Sequence, residues 1–125
     1  MSEVKYAVQH DRALWNGRSL RDWVHDLVAA IAETFDPELV ILFGSVATGT
    51  DGPDSDIDLL IVLREAPAVD RRALMVALRK STREVAAPHD LLVTSIADYE
   101  RNRTRPGTAE YGPAQFGTAV YERVT

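Results

Sequence analysis

Two short apolar runs govern what this chain can become: LVILF at residues 39–43 and LLIVL at residues 59–63. Neither alternates with polar residues, so both faces of each run must be covered, as in a central strand between layers. The second run is entered through Asp56-Ile57-Asp58, and its strand is predicted over Ile57 to Leu63. In a strand, residues two apart leave the same face, so the two carboxylates point together while Ile57 points into the core. An uncompensated charge at the mouth of a buried strand is costly. Something positive is expected there.

The surrounding pattern supplies the layers. Ser19 with Asp22 three residues later starts a helix, in which Leu20, Val24, Leu27, Val28, Ile31 and Phe35 recur at helical spacing. Asp36-Pro37 ends it. Residues 1–18 are unpatterned and predict a packed arm ending in a turn at Asn16-Gly17. After the strand Leu39–Phe43, Val46 to Gly49 predicts one helical turn and Thr50 to Ser55 (TDGPDS) a loop. Asp70 to Glu84 predicts a helix with Leu74, Leu78, Ser81 and Val85 on one side and Arg72, Arg79 and Arg83 on another. Pro88 breaks it, Asp90 to Thr94 (DLLVT) predicts a strand, and Ser95 to Arg101 starts another helix. Pro106-Gly107 and Gly112-Pro113 punctuate a tail whose AVYERV predicts a last edge strand. Strands alternating with helices make a small layered fold, and 125 residues suit one domain, 1–125, with 1–18 as its N-terminal arm.

Composition removes several function classes. A net charge of −5 argues against a general nucleic-acid binder. With no cysteine, disulfides and thiolate metal sites are excluded, and the lack fits a reducing cytosol. The first residues carry no apolar signal-peptide core, and the apolar runs are too short to span a bilayer. A cytoplasmic location, away from membranes, is expected.

Convergent carboxylates at a strand's start can hold a hard divalent cation such as Mg²⁺. A solvated loop accounts equally for Asp51 and Asp54, and no basic residue adjacent in sequence offers Asp58 an ion pair. An EF-hand register fails, because the place that needs glycine is Leu59. A P-loop fails too, since GSVATGT has no Gly-Lys-Ser/Thr. The Asp-x-Asp alone leaves a metal site and a solvated turn equally open. Gly44-Ser45 adds a glycine that lets backbone approach a ligand and a serine that offers N–H and hydroxyl groups to phosphate, although alone it reads as a plain strand-to-helix turn. Asp90 alone reads as a strand-end cap. His10, His25 and His89 are scattered and read as structural or solvent-facing.

Taken together, Gly44-Ser45, ten intervening residues, Asp56-Ile57-Asp58 and a later Asp90 heading a strand resemble the signature of the DNA polymerase beta-like nucleotidyltransferase superfamily. The stretch GSVATGTDGPDSDIDLLIV is most similar to the minimal nucleotidyltransferases, small antitoxin-type proteins encoded with HEPN-domain toxins. The resemblance extends from about Ser19 to the tail PGT…AVYER, with one departure: many relatives carry arginine where this chain has Thr48.

The resemblance implies an α+β fold, a small mixed β-sheet packed with helices. It implies AMP transfer from ATP to a hydroxyl with release of pyrophosphate. Asp56, Asp58 and Asp90 would be the catalytic and metal-binding residues, with two Mg²⁺ ions expected. Gly44 and Ser45 would hold the nucleotide. The acceptor it implies is a tyrosine of a HEPN-type RNase toxin, which AMP transfer would silence. Alternatives are a non-catalytic antitoxin that binds its toxin, or transfer to a small molecule or an RNA end. Arg71, Arg72, Arg79, Lys80 and Arg83 could attract RNA, but read better as a solvated helix face.

Overall fold

The computed structural model describes residues 6–9, 12–65 and 70–124. Three short strands come first: β1 (Tyr6–Gln9), β2 (Arg12–Trp15) and β3 (Arg18–Ser19), paired antiparallel in that order. Asn16 and Gly17, both at positive φ (50° and 81°), form the two-residue turn between β2 and β3. The expected turn is there, but the unpatterned arm is a small sheet. Four-residue strands are too short for alternation to show. Asp51, expected in a solvated loop, is instead 3% exposed and accepts the Ala13 N–H at 2.7 Å, tying β2 to the domain.

Helix α1 (Leu20–Phe35) begins where the cap demands. Ser19 Oγ accepts the Asp22 N–H at 3.0 Å, and Leu20, Val24, Leu27 and Ile31 form the buried stripe. Asp36, left-handed at φ 45°, ends it. The chain then runs β4 (Leu39–Phe43), α2 (Gly44–Thr48), β5 (Ile57–Leu63), α3 (Arg71–Thr82), β6 (His89–Ser95), α4 (Ile96–Asn102), α5 (Tyr111–Phe116) and β7 (Thr118–Glu122). The second sheet has the order β6-β5-β4-β7. The β4 pairings to β5 and β7 are antiparallel, whereas β5 and β6 are parallel. That parallel pair needs a crossover, which α3 provides. Asp70 caps α3 by accepting the Arg72 N–H at 3.0 Å.

The alternation of β4 and β5 divides the core. Val40, Leu42, Ile57, Leu59 and Ile61 pack with Leu27, Ile31, Leu74 and Leu78 of α1 and α3. Ile41, Leu60 and Val62 face the other way, against Tyr99 and Ile96 of α4 and Ala114 of α5. Helix α5 corrects one expectation. Gly112-Pro113, read as punctuation, lies inside its first turn, where a proline costs no intrahelical hydrogen bond. Among the described residues no helix is long and apolar enough to cross a membrane.

Candidate active site

The second face of the sheet carries the acidic pair at its upper end. Asp58 is the second residue of β5; Phe43 stands opposite it on β4 and Asp90 beside it on β6. Neighbouring strands lie about 4.8 Å apart, so Asp58 and Asp90 are lateral neighbours. Asp56 precedes the strand, near enough to Asp90 for the two charges to repel. The structure thus brings Asp56, Asp58 and Asp90 together.

Burial and mutual repulsion both act on this group. Asp58 is pushed up to about 6, first by burial and then by the charges of Asp90 and Asp56. Asp56 is raised by burial, then by the neighbouring Asp90 carboxyl, with the charge of His89 opposing. Among the described residues no three His, Cys, Asp or Glu side chains are grouped so as to hold a metal ion. The donor set nonetheless suits a hard cation: three carboxyls supply oxygen ligands, and a cation would remove the repulsion that raises Asp56 and Asp58.

Gly44 follows β4 directly and opens α2, two residues earlier than the sequence predicted. Its φ is +75°, and a Cβ there would overlap Asp58 Oδ2 and stand 3.3 Å from Asp58 Cγ. The glycine thus makes room for a carboxyl of the site itself. Ser45 Oγ donates to Ser55 Oγ at 3.0 Å, and Ser55 Oγ also accepts the Gly52 N–H at 2.8 Å. These bonds tie the start of α2 to the loop that delivers Asp56. Thr48 Oγ1 lies 3.4 Å from the Gly44 carbonyl, 3.3 Å from that of Ser45 and 2.9 Å from Thr50 Oγ1.

Both ring nitrogens of His89 have partners outside the carboxyl group. Its Nδ1 lies 2.7 Å from the Ala87 carbonyl and its Nε2 3.2 Å from Thr82 Oγ1, so the ring braces the end of α3 against β6. His25 is exposed on α1, and His10 lies outside the described residues. Arg71, Arg72, Arg79, Lys80 and Arg83 are all exposed, as expected of a solvated face, with Arg71 reaching the Val93 carbonyl at 3.4 Å. Arg79 also lines a cavity of about 130 Å³ beside Asp90, with Met75 and Leu91. Glu110, which no sequence motif marks, is buried on the carboxyl-bearing side of the sheet and bonded by Thr94 of β6. Only the folded tail brings it there.

The family described as nucleotidyltransferase domain matches residues 25–113 of this chain. That span contains Gly44, Ser45 and all three aspartates. The fold is similar to a crystal structure from Sulfolobus solfataricus, a protein provisionally named a nucleotidyltransferase. The likeness has a TM-score of 0.60 at 20% identity, over 83% of this chain and 81% of that one. No curated protein sequence matches significantly.

Proposed function

The chain belongs to the nucleotidyltransferase domain family, with the polymerase beta-like α+β fold, and from that premise we propose that it transfers AMP from ATP to a hydroxyl, the acceptor being a tyrosine of a HEPN-type RNase toxin. It then acts in the cytoplasm as the antitoxin, as a single domain. The observation that carries this reading is the pairing of Asp58 with Asp90 across β5 and β6, with Asp56 just before β5 and Asp58 seated on Gly44 at the start of α2.

The aspartates would hold Mg²⁺, with two ions expected in the complete site. When bound, the cations stabilise the attacking and leaving oxygens of an in-line displacement. Asp56 and Asp58 would face the triphosphate as ligands for the cations, and the backbone of Gly44-Ser45 with the Ser45 hydroxyl would hold the outer phosphates. The acceptor oxygen bonds to the α-phosphorus as the bond from that phosphorus to the bridging oxygen of the β-phosphate breaks. Pyrophosphate leaves with that electron pair, and Asp90 takes the hydroxyl proton. No protein nucleophile is needed. Labelled ATP, Mg²⁺ and a HEPN protein encoded beside this chain make the test: label on a partner tyrosine is expected, and its absence with active partner refutes transfer.

Thr48 favours a second reading. Its hydroxyl is spent near helix carbonyls and Thr50, and offers no guanidinium to a triphosphate. A binding antitoxin would neutralise its toxin in equimolar amounts with no label transferred.

A further inference from the structure

A larger cavity opens at the β6 edge of the sheet, between its carboxyl-bearing face and the start of α3, and the reaction proposed above leaves it without a role. Its volume is about 320 Å³, and Leu60, Leu92 and Thr94 line it together with Arg71, Asp98 and Glu110. Leu60 follows Asp58, and Leu92 follows Asp90, on the same face of their strands, so the cavity begins about 7 Å from the carboxyls. At 7% exposure Glu110 is its most buried charged wall. Its Oε2 accepts from the Thr94 hydroxyl at 2.7 Å and the Asn102 amide at 3.5 Å. Among the described residues no Lys, Arg or His forms an ion pair with it. Asp98 is already paired with Arg101. Arg71 is exposed at the rim and donates to the Val93 carbonyl.

The sheet order gives this cavity a direction. Gly44-Ser45 lies on the β4 side of Asp58 and the cavity on the β6 side. In an in-line displacement the attacking group enters opposite the leaving group. With the outer phosphates held at Gly44-Ser45, the acceptor enters from β6. A buried carboxyl bonded only by a hydroxyl and an amide is costly without a compensating positive group, and a charge-assisted hydrogen bond from a ligand would supply one.

We propose that this cavity is the acceptor subsite and receives an ammonium or guanidinium group carried by the same molecule as the reacting hydroxyl. The assignment rests on the nucleotidyl-transfer reading of the three aspartates. A side chain of a protein partner and a free amine present the same chemistry.

The test is an amide NMR titration of the full chain with three probes. Tyramine carries a phenol and an ammonium, 4-ethylphenol lacks the charge, and acetyl-tyrosyl-arginine amide carries it on a peptide. Tyramine or the peptide should shift the Leu92, Thr94 and Glu110 amides, and 4-ethylphenol should not. Glu110→Gln should weaken the cation about tenfold, as loss of a charged hydrogen-bond partner does. Leu92→Lys changes a residue at the cavity mouth that is 38% exposed, and its ammonium should compete for the subsite without disturbing the core. Tighter binding of the peptide points to a protein acceptor, and of tyramine to a free amine; either upholds the subsite. Equal shifts from 4-ethylphenol, no shifts from any probe, or unchanged binding in both variants would overturn it. ATP with Mg²⁺, titrated separately into the wild type, reads the other premise. Absence of nucleotide binding there overturns nucleotidyl transfer, whatever the cavity does.

Discussion

The Asp58 carboxyl lies against the α-carbon of Gly44, so close that a methyl group there would overlap Oδ2. One residue thereby ends β4, opens α2 at positive φ and clears space for a carboxyl delivered by the neighbouring strand. Backbone conformation and site geometry are coupled at a single position.

Gly44→Ala should destabilise the protein by about 1–3 kcal/mol, the range for a residue held in a strained backbone region. Because the overlap adds to that strain, the loss should be smaller in an Asp58→Ala background. Urea unfolding of the two single variants and the double variant measures the coupling. Equal losses in both backgrounds would mean that Asp58 does not press on this position.

Asp58 makes stability depend on pH. Its folded value, about 6, lies above the ordinary carboxylate value of 3.8, so the folded protein binds this proton more tightly than the unfolded chain. The resulting stabilisation is complete below pH 3.8 and is lost as pH rises through about 6. Asp58→Asn, which carries no titrating proton, should therefore gain in melting temperature relative to wild type between pH 4 and pH 7. A constant difference across melts in that range would contradict the coupling.

Metal and nucleotide should reverse that penalty. ATP with Mg²⁺ should raise the melting temperature at neutral pH by mass action. Combining Asp56→Ala with Asp58→Ala should abolish the Mg²⁺-dependent part of the rise. An undiminished rise in the double variant would remove these residues from the metal site.

Asp90→Asn should separate chemistry from contact. The amide is a poor metal ligand and cannot take the acceptor proton, so transfer should fall roughly 100-fold or more, in the range of general-base losses. Pull-down of the partner should be unchanged. If transfer persists, mass spectrometry of the partner will show undiminished adenylylation, and Asp90 is a strand cap.

Asp51→Ala tests the attachment of the N-terminal sheet. It removes the acceptor of the Ala13 N–H from a buried position, so a cost of about 1–3 kcal/mol is expected. Hydrogen exchange at Ala13 should accelerate more than exchange in β5. Uniform acceleration would show that the small sheet and the domain open as one unit.

What the sequence could disclose depended on the range of the contact. The strands Leu39–Phe43 and Ile57–Leu63 were legible to the residue, because a run apolar on both faces fits only a covered strand. The Ser19 cap and the α1 stripe were legible because each is written within a few turns of one helix. Spacing also singled out Gly44, although for nearness to a ligand and not to Asp58.

The sequence by itself determined the two covered strands, helix α1 with its cap, and the glycine between the strands. Those follow from local periodicity and backbone sterics, which act along neighbouring residues. Tertiary structure alone decided that Asp90 stands beside Asp58, that Asp51 is buried under β2, and that Glu110 lies beneath Thr94. Each of these meetings joins residues far apart in the chain. Strand order and the path of the tail bring them together, and neither is encoded in the pattern around any one of them.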